Sequence, residues 1–409
     1  MKKYFSQVIF LFVFISFAKA QSVQLFNTSN SPLTDNTVRS IKRDSTGTMW
    51  ICTDYGLCTY NAGTWAVYTT ANSGLPDNAI RTVAFDKLGN TWIGTANGGL
   101  VKYDGTTYTV YDIFNSGIPD NSVKCIAFDT AGVIWVGTIG GLGRFDGTNW
   151  TTFNMFNSGM VSSNVAGLFF DVDNTLYAGT INGGLSIFKS DTLYTTLTYQ
   201  NSFLPDNTVL DILKDTNNIL WLAMPANGIT AFINGISFVN YSTTSSGIAS
   251  NSLNDFEIDD KNNIWMASLD SGVLYKYGIS FLSYNTSNIP TFSDNSVLCV
   301  TCHAGEIWAG TSSNGIVVFT PFFTSIAEEE LAHTTLFPNP CVNFVQLTSN
   351  KEIKAISIYN TAGMRLPANS SFQNELSLVI DMSKFTSGVY FIHVSYMHGG
   401  QQLHKIIKQ

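Results

Sequence analysis

Residues 86–105 read DKLGNTWIGTANGGLVKYDG, and residues 129–147 restate the phrase as DTAGVIWVGTIGGLGRFDG. The central aromatic of that phrase recurs along the chain as Trp50, Trp92, Trp135, Tyr177, Trp221, Trp265 and Trp308. Successive spacings are 42, 43, 42, 44, 44 and 43 residues. A fixed period of this length marks a repeat architecture, in which each unit buries its apolar faces only against its neighbours.

Working outward from the tryptophan, each repeat predicts four short strands. In the second repeat they span residues 79–85, 91–94, 99–103 and 107–111. Asp86 and Gly89 stand at the first and fourth positions of a type I turn. Asp104-Gly105 is a hairpin turn that needs positive φ. Four strands every 43 residues, seven times over, predict an all-β chain built as a seven-bladed β-propeller. Neighbouring blades cover both faces of each sheet, which accounts for strands that are apolar on both faces and places the repeated tryptophan between blades. The seventh repeat supplies three clear strands, at 296–302, 306–310 and 315–319. Val23-Gln24-Leu25-Phe26 aligns with the fourth strand of the other repeats, so the N-terminal segment is expected to complete the last blade. That removes an open sheet edge.

The ends have their own grammar. Residues 1–20 read as a signal peptide: Lys2 and Lys3, an apolar run from Val8 to Phe17, and Ala18-Lys19-Ala20 as a small-x-small cleavage site. The apolar run is too short to span a bilayer, and Gln21 stands where a lipoprotein would carry cysteine. The expectation is an exported, soluble mature chain with no transmembrane segment. The repeat stops at Phe323. Residues 324–335, with Glu328-Glu329-Glu330, read as a linker, and residues 336–409 as a small C-terminal β-sandwich with strands at 353–359, 376–380, 389–396 and 403–407.

Two resemblances follow from these residues. The phrase Asp-x-x-Gly-x-x-Trp-x-Gly-Thr…Gly-Gly-Leu-x-x-Tyr/Phe-Asp-Gly, seen at 86–105 and 129–147, resembles the two-component regulator propeller repeat found in periplasmic halves of Bacteroidetes sensor kinases that detect oligosaccharides. Repeat four departs from it with Tyr177 and Ser163, and repeat seven with Cys302-His303 at the turn. No membrane helix or kinase follows the propeller, so the resemblance implies a ligand-binding habit and not signalling. The tail resembles the C-terminal sorting domain of the type IX (Por) secretion system, on Pro338-Asn339-Pro340, Ile356 to Tyr359 with Gly363, Gly388-Val389-Tyr390-Phe391 and Lys405-Ile406-Ile407-Lys408. This implies export through the periplasm and across the outer membrane, with the type IX machinery as partner and the extracellular space or cell surface as destination. Pro338, Asn339, Pro340, Gly388, Tyr390, Lys405 and Lys408 are its expected sorting residues.

Composition narrows the chemistry. The propeller holds one histidine, His303, and two glutamates, Glu257 and Glu306. Histidine is the usual acid or base near neutral pH, so no catalytic residues are assigned. A histidine-dependent propeller lyase lacks its residue, and Arg39, Arg43, Arg81 and Arg144 are too few for a sialidase-like arginine cluster. A carboxylate-dependent propeller enzyme is the catalytic alternative. Net charge is −8 with few Lys or Arg runs, which argues against nucleic acid. Cys299-Val-Thr-Cys302-His303 matches a haem-attachment pattern. Strand geometry, however, puts residues three apart on opposite faces, so no cofactor is expected. Cys52 and Cys58 flank a hairpin turn, and either a disulfide or two buried thiols fits. The Asp-Asn pairs that open blades (Asp35-Asn36, Asp77-Asn78, Asp120-Asn121, Asp206-Asn207, Asp294-Asn295) read as turn formers. They and Asp171-Val-Asp173-Asn174 are not assigned a metal.

One asymmetry breaks the repeat. Three residues after each blade-opening Asn come Arg39, Arg81 and Lys124, then Ala166, Leu210, Asn254 and Leu298. A basic arc on blades one to three is the candidate ligand site. Tyr55, Asn97, Asn182, Asn227, Asp270 and Asn314, in the second-to-third strand loops, are candidates for added hydrogen bonds and stacking. The competing reading pairs the three cations with blade-opening aspartates. The resulting expectation is a non-catalytic binding module for glycan or a surface protein. The alternative is a structural or adhesive surface protein with no small ligand.

Overall fold

The computed structural model describes residues 19–322 and 334–409, apart from 234, 279, 290, 293, 362, 363, 368 and 398–400. The expected signal peptide up to residue 18, the acidic run of the expected linker and Gly363 lie outside the described residues. The chain divides into two compact units, Met1–Phe323 and Thr324–Gln409.

In the first unit the described strands form seven four-stranded antiparallel sheets. Their innermost strands are Val38–Arg43, Ile80–Phe85, Val123–Phe128, Val165–Phe170, Asp211–Lys214, Leu253–Ile258 and Val297–His303. Each packs against the next and the last against the first, closing a ring. The second strand of every sheet is almost wholly buried, as Thr91–Thr95 and Ile134–Thr138 are. The repeated aromatic sits on that strand, between one blade and the next.

A recurring hydrogen bond explains the Asp-to-Trp spacing of six. The turn aspartate takes backbone N–H groups with one oxygen and the indole N–H with the other. Trp50 donates to Asp44 at 2.9 Å, Trp92 to Asp86 at 2.9 Å, Trp221 to Asp215 at 3.0 Å and Trp265 to Asp259 at 3.1 Å. In blade seven, where that aspartate is missing, Trp308 donates to Glu306 instead. The buried Trp135 Nε1 has no hydrogen-bond partner among the described residues.

The seventh sheet takes its outermost strand from the N-terminus. Lys19–Phe26 pairs antiparallel with Ile316–Phe322, with Ser22 opposite Thr320 and Phe26 opposite Ile316. A register shift separates Ala20 from Ser22, so the continuous pairing starts beyond the expected cleavage point. Phe26 is buried against Trp308, Trp65 and Tyr60, bridging the last blade to the first. Gly315 allows the strand this close: a Cβ there would lie 2.1 Å from the Phe26 carbonyl oxygen.

The second unit is two four-stranded sheets around one core. One sheet carries Phe344–Ser349 and Ser377–Asp381 at its centre, the other Ile353–Asn360 and Gly388–Tyr396. Val345, Leu347, Ile380, Ile358, Ile392 and Val394 meet between them with no exposure. Its first strand, Thr334–Phe337, begins ahead of the expected boundary at 336 and occupies residues assigned to the linker. Three further strands, Phe344–Ser349, Arg365–Leu366 and Asn369–Asn374, were not legible as alternating runs.

Candidate functional site

The seven innermost strands surround a cavity of about 410 Å³. Six of them begin with a β-bulge, where one residue is skipped between ladder partners: Arg39, Arg81, Lys124, Ala166, Asn254 and Leu298. A bulge re-aims the extra side chain. Here it turns the asymmetric position of the repeat into the lining of the cavity, together with Leu210 of blade five. The next inward-facing layer is Ser40, Thr82, Cys125, Gly167, Asp211, Asp255 and Cys299, and below it lie Lys42 and Glu257.

The structure brings two of the three predicted cations onto one carboxylate. Arg39 donates to both oxygens of Asp54, from Nε at 2.9 Å and from a terminal nitrogen at 2.5 Å, and Arg81 reaches the same carboxylate at 3.3 Å. Bidentate guanidinium–carboxylate pairs of this kind are among the stronger charged hydrogen bonds. The Arg39 hydrogen bonds hold the Asp54 carboxyl below its usual range, and Arg39 is raised in turn. Lys124 donates to Asn164 Oδ1 at 2.7 Å, and burial lowers its ammonium pKa. Asp54, and not the blade-opening Asp35 or Asp77, is therefore the anchor of the two arginines. Sequence reasoning missed it. In the other repeats its position holds Ala96, Ile139, Ile181, Pro225, Leu269 and Ser312, so the departure from the repeat was the available signal.

The blade-opening pairs are turn formers. Asp120 accepts from Ser122 N–H at 2.7 Å, while Asn121 accepts from Ile113 N–H of the preceding connector at 2.9 Å. The loop candidates are mostly engaged in holding their own loops. Asn97 donates to Asp77, Asn227 donates to Asp206, Asn182 accepts from Thr208, Asp270 accepts from Ser268, and the Asn314 backbone N–H binds Thr311. Tyr55 is two-thirds exposed beside Asp54.

Across the cavity from the cations lies a feature that sequence reasoning did not single out. Asp211 accepts from Phe256 N–H at 3.2 Å and Asp255 from Val300 N–H at 2.9 Å. Burial pushes Asp255 up to about 8 against the pull of Lys42, and burial likewise raises Glu257. Burial works against charge on Lys42, but Asp255, Glu257 and Asp211 outweigh it and raise its pKa. Among the described residues no group of three or more His, Cys, Asp or Glu could hold a metal ion. Asp171 is instead taken by Lys214 at 2.5 Å, and Asp173 caps Thr175.

The cysteines resolve against a disulfide. Cys52 lies opposite Leu57 and Cys58 opposite Ile51, so the two thiols face opposite sides of the sheet and enter different interblade cores. Both are free and buried. Cys299 and Cys302 likewise pack into different cores.

In the second unit Asn339 staples the Pro-Asn-Pro segment along the last strand, donating to Lys405 O at 3.0 Å and accepting from Ile407 N–H at 2.9 Å. Lys408 is buried beside Cys341. Tyr390 donates to Thr386 O at 2.8 Å. Gly388 begins the strand that pairs with Gln401–Lys408.

With this geometry in place, comparison with known proteins gives the class. The two component regulator propeller family matches residues 32–55, 74–97 and 117–140, and the secretion system C-terminal sorting domain matches residues 335–409. The chain is a secreted β-propeller that carries regulator-type repeats and a type IX sorting tail. That tail marks it for export to the cell surface or extracellular space.

Similar solved structures include the extracellular domain of a putative hybrid two component system from B. thetaiotaomicron, at 19% identity and TM-score 0.63 over 94% of this chain and 57% of that one. PorZ, a surface component of the type-IX secretion system of Porphyromonas gingivalis, aligns at 15% identity and TM-score 0.57, over 94% of this chain and 60% of its own. Virginiamycin B lyase from Staphylococcus aureus aligns at 15% identity and TM-score 0.58, over 73% and 99%. The chain thus spans about three fifths of the first two relatives. No curated protein matches. At these identities the likeness is one of fold. Among the described residues no helix is long and apolar enough to cross a membrane.

Proposed function

We propose that the propeller is a non-catalytic binding module, released or held at the cell surface, whose ligand enters the channel mouth on blades one to three and is an anionic glycan or glycan end. The observation that carries this is the cluster at the mouth: of three cations on successive blades, Arg39 and Arg81 share one carboxylate, Asp54, within 4 Å, and Lys124 meets only the neutral amide of Asn164. That leaves an excess of two positive charges beside a cavity large enough for a sugar ring. Sites of a few hundred cubic ångströms with convergent polar groups are typical of small-ligand pockets. The expected assay is retention of the exported chain on immobilised acidic and neutral oligosaccharides. Retention on the acidic set, released by the free sugar, supports the reading. Equal retention on both sets, or none, counts against it.

A second reading, docking of a surface protein, has one observation in its favour. The connectors that follow blades two, three and four expose Phe114 at 89%, Phe156 at 88% and Phe203 at 88%. Phe114 and Phe156 share one connector position, where blades one, four, five and six carry Ala71, Gln200, Thr244 and Ser287; Phe203 stands three residues further along its own connector. Exposed aromatics gathered on one side of a molecule mark contact surfaces more often than chance. Such a partner would survive competition by free sugars.

A further inference from the structure

The cavity has a basic mouth and an acidic far wall, and on that wall carboxylates outnumber cations. Asp211 and Asp255 come from blades five and six, at positions where the other blades hold Ser40, Thr82, Cys125, Gly167 and Cys299, and Glu257 lies one layer deeper in blade six, level with Lys42. None of the three takes part in an ion pair within 4 Å among the described residues. Their hydrogen bonds come from the backbone N–H groups of Phe256 and Val300 and from Thr301. Lys42 is the one ammonium in their layers of the cavity lining, against three carboxylates. Sheltered carboxylates in excess of their counter-charge are costly: Lys42 offsets part of the charge, and a proton held on Asp255 offsets more, a proton that a bound ammonium would displace to solvent. An ammonium, which donates hydrogen bonds as well as charge, suits a wall of this kind. Opposite it, Arg81 and Lys124 line the same cavity with donors to spare, because Asp54 takes only one Arg81 bond and Lys124 meets a neutral amide.

Building on the anionic-ligand reading above, we infer that the channel binds a compact zwitterion of sugar size, its carboxylate at Arg81 and Lys124 and its ammonium at Asp211 and Asp255. A cavity of about 410 Å³ holds one such residue with room for water. Charge-assisted hydrogen bonds at both ends make the pair of charges worth more than either alone.

The experiment is calorimetric titration of the intact exported chain with muramic acid, which carries both charges. Glucuronic acid, which has only the carboxylate, and glucosamine, which has only the ammonium, are titrated alongside. Muramic acid is expected to bind at least about tenfold more tightly than either, the equivalent of one good charged contact. Asp255→Asn and, separately, Asp211→Asn should erase that advantage while leaving glucuronic acid affinity within about twofold. The ratio is read within each variant, so a loss of folded protein in one of them does not mimic the effect. If glucuronic acid binds as tightly as muramic acid, the zwitterion inference is overturned and the anionic reading stands. If glucosamine matches muramic acid, or if none of the three binds, the inference is overturned together with the anionic mouth.

Discussion

Phe26→Ala probes the closure of the ring. The side chain belongs to the strand that enters from the N-terminus, yet it is 8% exposed and sits in the core shared by blades seven and one. Its ring lies 5.4 Å from Tyr60, 5.4 Å from Trp65 and 6.0 Å from Trp308. Replacing a buried phenylalanine by alanine costs about 3–5 kcal/mol through lost transfer energy and the cavity left behind. A unit of this size loses roughly 2 °C of Tm per kcal/mol, so the propeller transition should fall by about 6–10 °C. Differential scanning calorimetry of the exported chain reads this directly. Phe114→Ala serves as the control, because an 89% exposed ring should change stability by less than about 0.5 kcal/mol. Equal, small shifts for the two variants would refute the idea that the N-terminal strand closes the last blade.

Three further outcomes are expected. Asp215→Ala should cost about 1–3 kcal/mol more than Asp129→Ala in denaturant unfolding, since only the former strands a buried indole N–H, that of Trp221. Asp255→Asn should change the pH dependence of stability. Burial lifts the native carboxyl above its unfolded value, so the native state holds the extra proton and wild-type stability declines as pH rises from about 4 to 8. The variant should lack that decline, and parallel Tm-versus-pH curves would contradict the assignment. Cys52 and Cys58 should remain two thiols: intact mass under non-reducing conditions should show no loss of two hydrogens, and thiol reagents should react only after unfolding.

The period of the tryptophans carried the architecture because each blade depends on its neighbours for burial, so the same strand and turn chemistry must recur. Even the borrowed strand was legible, since Val23 to Phe26 has the pattern of a fourth strand. The site was legible only in outline. Arg39, Arg81 and Lys124 stood out because they break the repeat, but nothing local signals that they occupy bulges. Asp54, Asp211 and Asp255 break it too, in a loop and on the opposite wall. Their meaning depends on ring closure, which brings residues from blade one to face residues from blade six. The cysteine pair shows the converse. A short loop suggests proximity, while ladder register alone decides which face each thiol takes.

The most direct test of the basic mouth is the Arg39→Ala, Arg81→Ala, Lys124→Ala triple variant, titrated with glucuronic acid beside the wild-type chain at low and at moderate salt. The account predicts saturable, salt-sensitive binding to the wild type and its loss in a variant that still melts cooperatively. Unchanged binding in a folded variant would contradict it.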